Sequence, residues 1–322
     1  MQSQEFFRPI KSELQRTEEE LIKAIDTQQP LLKEASGHLI HAGGKRLRPA
    51  FVLLAGRCFT NEIDHLIPMA VAMELVHMAT LVHDDVIDNS LSRRGRETVK
   101  ARFGNRISIY SGDYMLAKAL HIIGMYNRAD LVTIVSGASV KVCEGEIVQL
   151  QTCYDVEQGV IDYLRRIERK TALLMSLACQ VGALLTDAPA PMENALRRFG
   201  YNLGMSFQIT DDILDFTAEE SILGKPTGSD IRQGIITLPA LYALRHSQEA
   251  SELRSILGSP VSVSRNAEKA LEIVVKSGGI EYSQHIAARY INKAHRMLGL
   301  IPESQSRTAL GLIADFICER EY

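Results

Sequence analysis

Residues 62 to 89 constrain this chain more than any other stretch. Their body, Met69-Ala70-Val71-Ala72-Met73, is apolar all round. A helix of that kind has to be covered on every side by other elements. The stretch ends on His83-Asp84-Asp85-Val86-Ile87-Asp88, and Arg93-Arg94-Gly95 follows closely. Asp84 and Asp88, at i and i+4, share a helix face that Asp85 flanks. Acids packed this densely repel one another unless a cation neutralises them. The pattern returns as Asp211-Asp212-Ile213-Leu214-Asp215, again at the end of apolar helical sequence. A solvated helix end would explain one cluster. Two with the same spacing call for a shared reason.

The rest of the chain supplies the cover. Residues 4–27, 31–41, 45–59, 105–126, 129–151, 157–185, 193–216, 236–243, 249–257, 263–277, 281–298 and 304–321 read as helices from apolar positions recurring at i, i+3 and i+4. Gly43-Gly44 and the Pro189–Pro191 pair punctuate them. Val and Ile do not cluster in alternating runs, so no strands are expected. The reading is an all-α single domain over residues 1–322, roughly 12–14 helices around a central cavity. The 46% apolar content is ample for that core, and a net charge of −3 gives nucleic acid no electrostatic reason to bind. Cys58, Cys143, Cys153, Cys179 and Cys318 are scattered and odd in number, as in a chain whose thiols stay reduced. The start, Met1-Gln2-Ser3-Gln4-Glu5, does not read as a signal peptide. No apolar run reaches the ~18 residues of a membrane span, because Glu74 and His77 interrupt the longest. A cytoplasmic protein is expected, with contact at a membrane surface left open.

Grouped carboxylates suit Mg²⁺, which keeps several waters and bridges carboxylates to substrate phosphates. Asp84, Asp85, Asp88, Asp211, Asp212 and Asp215 are therefore the candidate ligands, and two clusters can hold more than one ion. The cations supply the other half. Lys45 and Arg48 in Gly44-Lys45-Arg46-Leu47-Arg48-Pro49 stand three apart at a helix start, where a diphosphate is well received. The spacing is not that of a Walker loop. Arg93 and Arg94 follow the first cluster, Lys170-Thr171 lies within a long helix, and Lys225 sits in the polar loop after the second cluster. The simplest ligand for this charge pattern is a pair of diphosphates. His77, two turns before Asp84, shares its direction, although a lone His on an apolar helix is as often a hydrogen-bonded core residue. Gln208 precedes Asp211 by three on one face, and Phe207 is more often core. Gly145, between Glu144 and Glu146, costs a helix about 1 kcal/mol relative to Ala, which hints at close packing or ligand approach.

Taken in order, Gly43-Gly44-Lys45-Arg46-Leu47-Arg48-Pro49, Asp84-Asp85-Val86-Ile87-Asp88 with Arg93-Arg94-Gly95, Gly204-Met205-Ser206-Phe207-Gln208, Asp211-Asp212-Ile213-Leu214-Asp215 and Gly224-Lys225-Pro226 resemble the trans-polyprenyl diphosphate synthase family. The resemblance covers nearly the whole chain. It is closest to the long-chain bacterial type, which includes the catalytic large subunits of two-component synthases. It implies head-to-tail condensation of isopentenyl diphosphate onto an allylic diphosphate, with farnesyl diphosphate the expected primer. Two to three Mg²⁺ would be held by Asp84, Asp85 and Asp88 on one side, and by Asp211, aided by Asp212 and Asp215, on the other. Arg93, Lys170, Thr171, Gln208 and Lys225 would grip the allylic phosphates, and Lys45, Arg48, His77 and Arg94 those of isopentenyl diphosphate. The departing pyrophosphate is the candidate base. A growing chain needs an apolar tunnel, and the small Ala79 and Thr80 one turn before Asp84 imply a product of about C30–C50, with heptaprenyl the best single expectation. Val76, Met73 and Ile147 are deeper candidates for its floor. The product would serve a quinone side chain such as that of menaquinone. The implied partners are a second copy or a small regulatory subunit, with peripheral membrane contact for product release.

Three other readings compete. A terpene cyclase shares the fold and the first cluster, but its second motif usually mixes Asn, Ser or Thr with Glu. An HD-type metal phosphohydrolase is suggested by His83-Asp84, yet needs further His ligands. A non-catalytic regulatory subunit would lack the clusters that this chain keeps.

Overall fold

Helix α4, Ile67–Ile87, is the element the sequence places at the centre, and in the computed structural model it is buried along almost its whole length. The structure describes residues 6–93, 95–218 and 227–318. The chain divides into two units, one built from residues 1–136, 177–197 and 299–310, the other from 137–176, 198–298 and 311–322.

In the first unit, a 3₁₀ turn at Arg8–Ile10 leads into α1 (Lys11–Ala24), α2 (Pro30–His41), α3 (Leu47–Arg57) and α4. Prolines open α2 and α4, where the missing N–H costs nothing. Helix α5 (Val99–Gly124) follows, and with α1 and α3 it encloses α4. Helices α3 and α4 pack against each other, and Phe51, Leu53 and Leu54 of the one and Met69 and Met73 of the other are fully buried. Each such side chain contributes about 1.5–3 kcal/mol relative to exposure. The stretch Asp64–Ile87 is, by length and composition, apolar enough to cross a membrane, with a mean hydropathy of 1.5. This corrects the expectation that no stretch is. Of that window 72% is buried inside the protein, as in a core helix. Glu74 does not interrupt the run, because one charge leaves the mean hydropathy high; in the fold that charge is paired internally with Arg46. Two further corrections concern local structure. Helix α5 starts at Val99, where the Thr98 hydroxyl caps the Ala101 N–H at 3.0 Å, and is kinked at Gly104. Strands, which were not expected, are present as a short hairpin, β1 (Ser92–Arg93) against β2 (Arg96–Glu97), turning through Gly95 at φ +72°. Two-residue strands leave no alternation to read.

Helix α6 (Ala129–Gln151) begins in the first unit, and its remainder opens the second. Over 157–185, where one helix is expected, α7 (Val160–Ile167) and a π turn at Glu168–Ala172 belong to the second unit, and α8 (Leu173–Leu184) passes from it into the first. After α9 (Ala190–Thr217) come α10 (Ser229–Arg232), α11 (Leu238–His246), α12 (Ala250–Leu257), α13 (Pro260–Lys276), α14 (Gly279–Leu298) and α15 (Gln305–Cys318). The described residues thus hold fifteen helices, the excess over expectation coming from the broken α7–α8 stretch and the single turn α10. Met205, Ile209 and Ile213 of α9 join Leu238 and Leu241 of α11 and Ile273 and Val274 of α13 in one core.

Candidate active site

The first acidic cluster forms where α4 stops. Asp88 is its C-cap, with its N–H on the Asp84 carbonyl at 2.8 Å. The three carboxylates are not equivalent. Asp88 is exposed and Asp84 half-buried, while Asp85 is turned inward. The Arg93 guanidinium, presented by the hairpin, donates to Asp85 Oδ1 from Nε at 2.9 Å and from a terminal nitrogen at 2.8 Å. Burial raises the Asp85 pKa, and the Arg93 hydrogen bond and charge pull part of it back. Arg93 therefore serves the acidic cluster directly.

His83 belongs elsewhere. Its ring covers Gly112 of α5, where an added Cβ would meet Nε2 at 2.3 Å, and Nε2 lies 3.3 Å from both the Ile109 carbonyl and Asp113. That contact removes the His-Asp pair on which the phosphohydrolase reading rested.

The second cluster ends α9. Asp211 is exposed, and Asp212 and Asp215 are buried. Both Asp212 oxygens have donors: the Tyr163 hydroxyl at 2.7 Å and the Gln208 amide at 2.8 Å. Thr171 donates to Gln208 Oε1 at 2.6 Å, which orients the amide nitrogen toward Asp212. Burial raises the Asp212 pKa to about 6 against these hydrogen bonds. Burial, the Asp212 charge and its hydrogen bond push the Tyr163 hydroxyl far up. Asp215 Oδ2 accepts the Asp230 N–H at 3.0 Å and its carbonyl the Gly228 N–H at 2.7 Å, so it ties the end of α9 to α10.

Lys170 and Thr171 ride on the π turn, an irregularity frequent at functional sites. Two glycines admit it. A Cβ on Gly204 of α9 would sit 2.5 Å from Ala172 Cα, and one on Gly145 of α6 would sit 2.6 Å from Arg169 Cβ. Gly145 thus marks close packing. Lys170 Nζ donates to Gln149 at 3.1 Å.

In the first unit Lys45 is exposed and Arg48 half-buried at the start of α3, and His77 is half-buried on α4. Ala79, Val76 and Met73 are buried, and the Thr80 hydroxyl is held by the His77 carbonyl at 2.8 Å. Ile147 is 56% exposed and so is corrected as a floor for a buried tunnel. Arg94 and Lys225 lie outside the described residues. Three residues escaped the sequence reading. Glu74, the one acid in the apolar body of α4 before the cluster, needed an internal partner and so pointed to Arg46. Tyr163 precedes Lys170 by two helical turns. Gln149 left no signal.

Among the described residues, no three His, Cys, Asp or Glu side chains converge into a preformed metal cage. The donors still fit Mg²⁺, which binds through one or two carboxylates and completes its octahedron with water and phosphate oxygens.

The polyprenyl synthetase family profile matches residues 29–274. The chain belongs to the polyprenyl synthetase family. The synthase is similar to heptaprenyl diphosphate synthase component 2 of Bacillus subtilis, 44% identical over 95% of this chain and 87% of that one. Among solved structures it is similar to heptaprenyl diphosphate synthase from Staphylococcus aureus, with TM-score 0.92 and 36% identity over 97% of this chain and 98% of that one. It is also similar to polyprenyl synthase from Caulobacter crescentus, complexed with calcium and isoprenyl diphosphate, with TM-score 0.93 and 32% identity over 99% and 98%. Such synthases use a divalent metal. The synthase is a trans-prenyltransferase of isoprenoid biosynthesis that elongates prenyl diphosphates to long chains.

Proposed function

We propose that the synthase adds isopentenyl diphosphate units to farnesyl diphosphate until a heptaprenyl diphosphate is made, for a quinone side chain such as that of menaquinone. The observation that carries this is the pair of Asp-rich helix ends in a chain similar to a component 2 of heptaprenyl synthesis. Asp84, Asp88 and Asp211 present the accessible carboxylates and would hold two to three Mg²⁺. Bound there, Mg²⁺ stabilises the charge of a leaving diphosphate. Asp85 fixes Arg93, and Asp212 fixes Gln208, so that each cluster carries an oriented donor beside it. Lys170 completes the grip on the allylic phosphates, with Lys225 in the same role. Lys45, Arg48, His77 and Arg94 take isopentenyl diphosphate. The allylic C–O bond breaks, the isopentenyl double bond supplies the new C–C bond, and the leaving pyrophosphate takes the proton.

We further propose that residues 1–322 act as one synthase domain in the cytoplasm, and that α6 docks a second chain. Val140, Cys143, Ile147 and Leu150 are exposed at spacings of 3, 4 and 3, a seam of coiled-coil type. The name component 2 favours a small non-catalytic partner, with a second copy as the other occupant. The test is to incubate the purified chain with Mg²⁺, farnesyl diphosphate and isopentenyl diphosphate, alone and with a candidate small subunit, and read product lengths by mass spectrometry. Heptaprenyl product, lost in EDTA and restored by Mg²⁺, is expected. Consumption of isopentenyl diphosphate without any product of about C30 or longer sinks the long-chain reading.

A further inference from the structure

Arg46 stands between Lys45 and Arg48 in sequence and is the most buried of the three. It is 9% exposed. Its Nε and one terminal nitrogen donate to the two Glu18 oxygens, both at 2.6 Å, a fork-on-fork pair with α1. The other terminal nitrogen donates to Glu74 of α4 at 3.0 Å, and a fourth bond reaches the Ile40 carbonyl of α2 at 3.1 Å. Glu74 is 2% exposed, so this guanidinium neutralises a charge inside the buried helix α4.

The backbone of Arg46 is as unusual as its side chain. It sits at φ 47°, ψ 38°, left-handed, as the N-cap of α3, and its side chain makes no capping bond. A residue with a Cβ is disfavoured there and persists only where the surroundings over-determine it. Glycines precede it at 43 and 44, so the chain carries the freely turning residue nearby and a guanidinium at the left-handed position itself. Contacts to three helices supply the over-determination. The Arg46 carbonyl accepts the Ala50 N–H at 3.1 Å, the first bond of α3, so the turn that carries Arg48 hangs from it.

We infer that Arg46 is a positioning residue: its buried ion cluster with Glu18 and Glu74 locks the left-handed turn that points Lys45 and Arg48 at the diphosphate of the isopentenyl substrate. This rests on the proposed role of Lys45 and Arg48. Its guanidinium is engaged by Glu18, Glu74 and the Ile40 carbonyl, and none of the groups assigned to the allylic diphosphate lies on this turn.

The test separates positioning from stability. Arg46→Met combined with Glu74→Leu replaces the buried pair by apolar side chains of similar volume, an exchange that buried ion pairs often tolerate without loss of stability. Thermal unfolding of that variant should stay near wild type. Its KM for isopentenyl diphosphate should rise about tenfold, the weight of one charge-assisted hydrogen bond misaligned, with the KM for farnesyl diphosphate within about twofold. Calorimetric binding of isopentenyl diphosphate should weaken by the same factor. If the double variant fails to fold, Glu18→Gln, which alters the half-exposed partner, should shift the isopentenyl KM in the same direction and leave the farnesyl KM in place. An unchanged isopentenyl KM in a folded variant overturns the inference, as does an equal rise for both substrates. Lys45→Ala and Arg48→Ala run alongside. Should they leave the isopentenyl KM unchanged, it is the assignment of the diphosphate site that fails; should they raise it while the double variant does not, only the role of Arg46 fails.

Discussion

Asp212 shows how a single carboxylate links fold to site. Burial lifts its pKa to about 6, above its unfolded value, so its contribution to stability is present at low pH and lost as pH rises through about 6. Asp212→Asn mimics the protonated acid. In EDTA, its melting temperature relative to wild type should move in favour of Asn between pH 5 and pH 7.5, as differential scanning calorimetry would read. Tyr163→Phe deletes one of the two donors that hold the carboxylate. It should cost about 1–3 kcal/mol in urea denaturation at pH 7.5 and less at pH 5. The acids themselves were legible in the sequence, because the same spacing occurs twice at helix ends. Which of them face inward was not. That depends on Arg93 and Tyr163, placed by a hairpin and a helix whose approach no local pattern encodes. Arg46 was harder still, since nothing about an arginine announces a left-handed backbone.

Among the elements, α4 and the π turn behave oppositely toward prediction. Helix α4 was readable from its composition, and its small positions carry the expectation of product length. Ala79 is 2% exposed, one turn before Asp84. Ala79→Tyr should shorten the main product to about C15–C20, seen by mass spectrometry, because an aromatic ring there fills the space a growing chain would use. An unchanged product distribution would remove α4 as the ruler. The π turn had no signal in periodicity, since a single extra residue per turn is absorbed within a Pro-free stretch. Its trace lay in the glycines instead. Gly204→Ala forces a methyl against the Ala172 backbone and should destabilise the fold by about 1–3 kcal/mol. Lys170 and Thr171 would shift with the turn, so turnover should fall in the surviving folded fraction, which a stopped assay normalised to circular dichroism would resolve.

At the scale of the whole molecule, thiol chemistry reports which surfaces are covered. Burial pushes the Cys58 thiol up to about 11 and Cys179 higher still, whereas Cys143 is exposed on the α6 seam. Iodoacetamide on the native chain should label Cys143 first and Cys58 and Cys179 only on unfolding. A partner seated on the seam should slow Cys143 labelling, read as a peptide mass shift over time. The all-α class was visible from sequence because apolar periodicity survives any tertiary arrangement. The division into two units was not, because it depends on contacts between distant segments. Helix α4 carries one more consequence. A segment able to cross a bilayer by length and composition is here kept inside a protein whose product is itself a lipid. Its safety is conditional on folding: until α1, α3 and α5 close around it, α4 leaves exposed an apolar surface long enough to meet a bilayer. Variants that loosen that shell should then lose soluble yield to the membrane fraction before they lose activity per folded molecule.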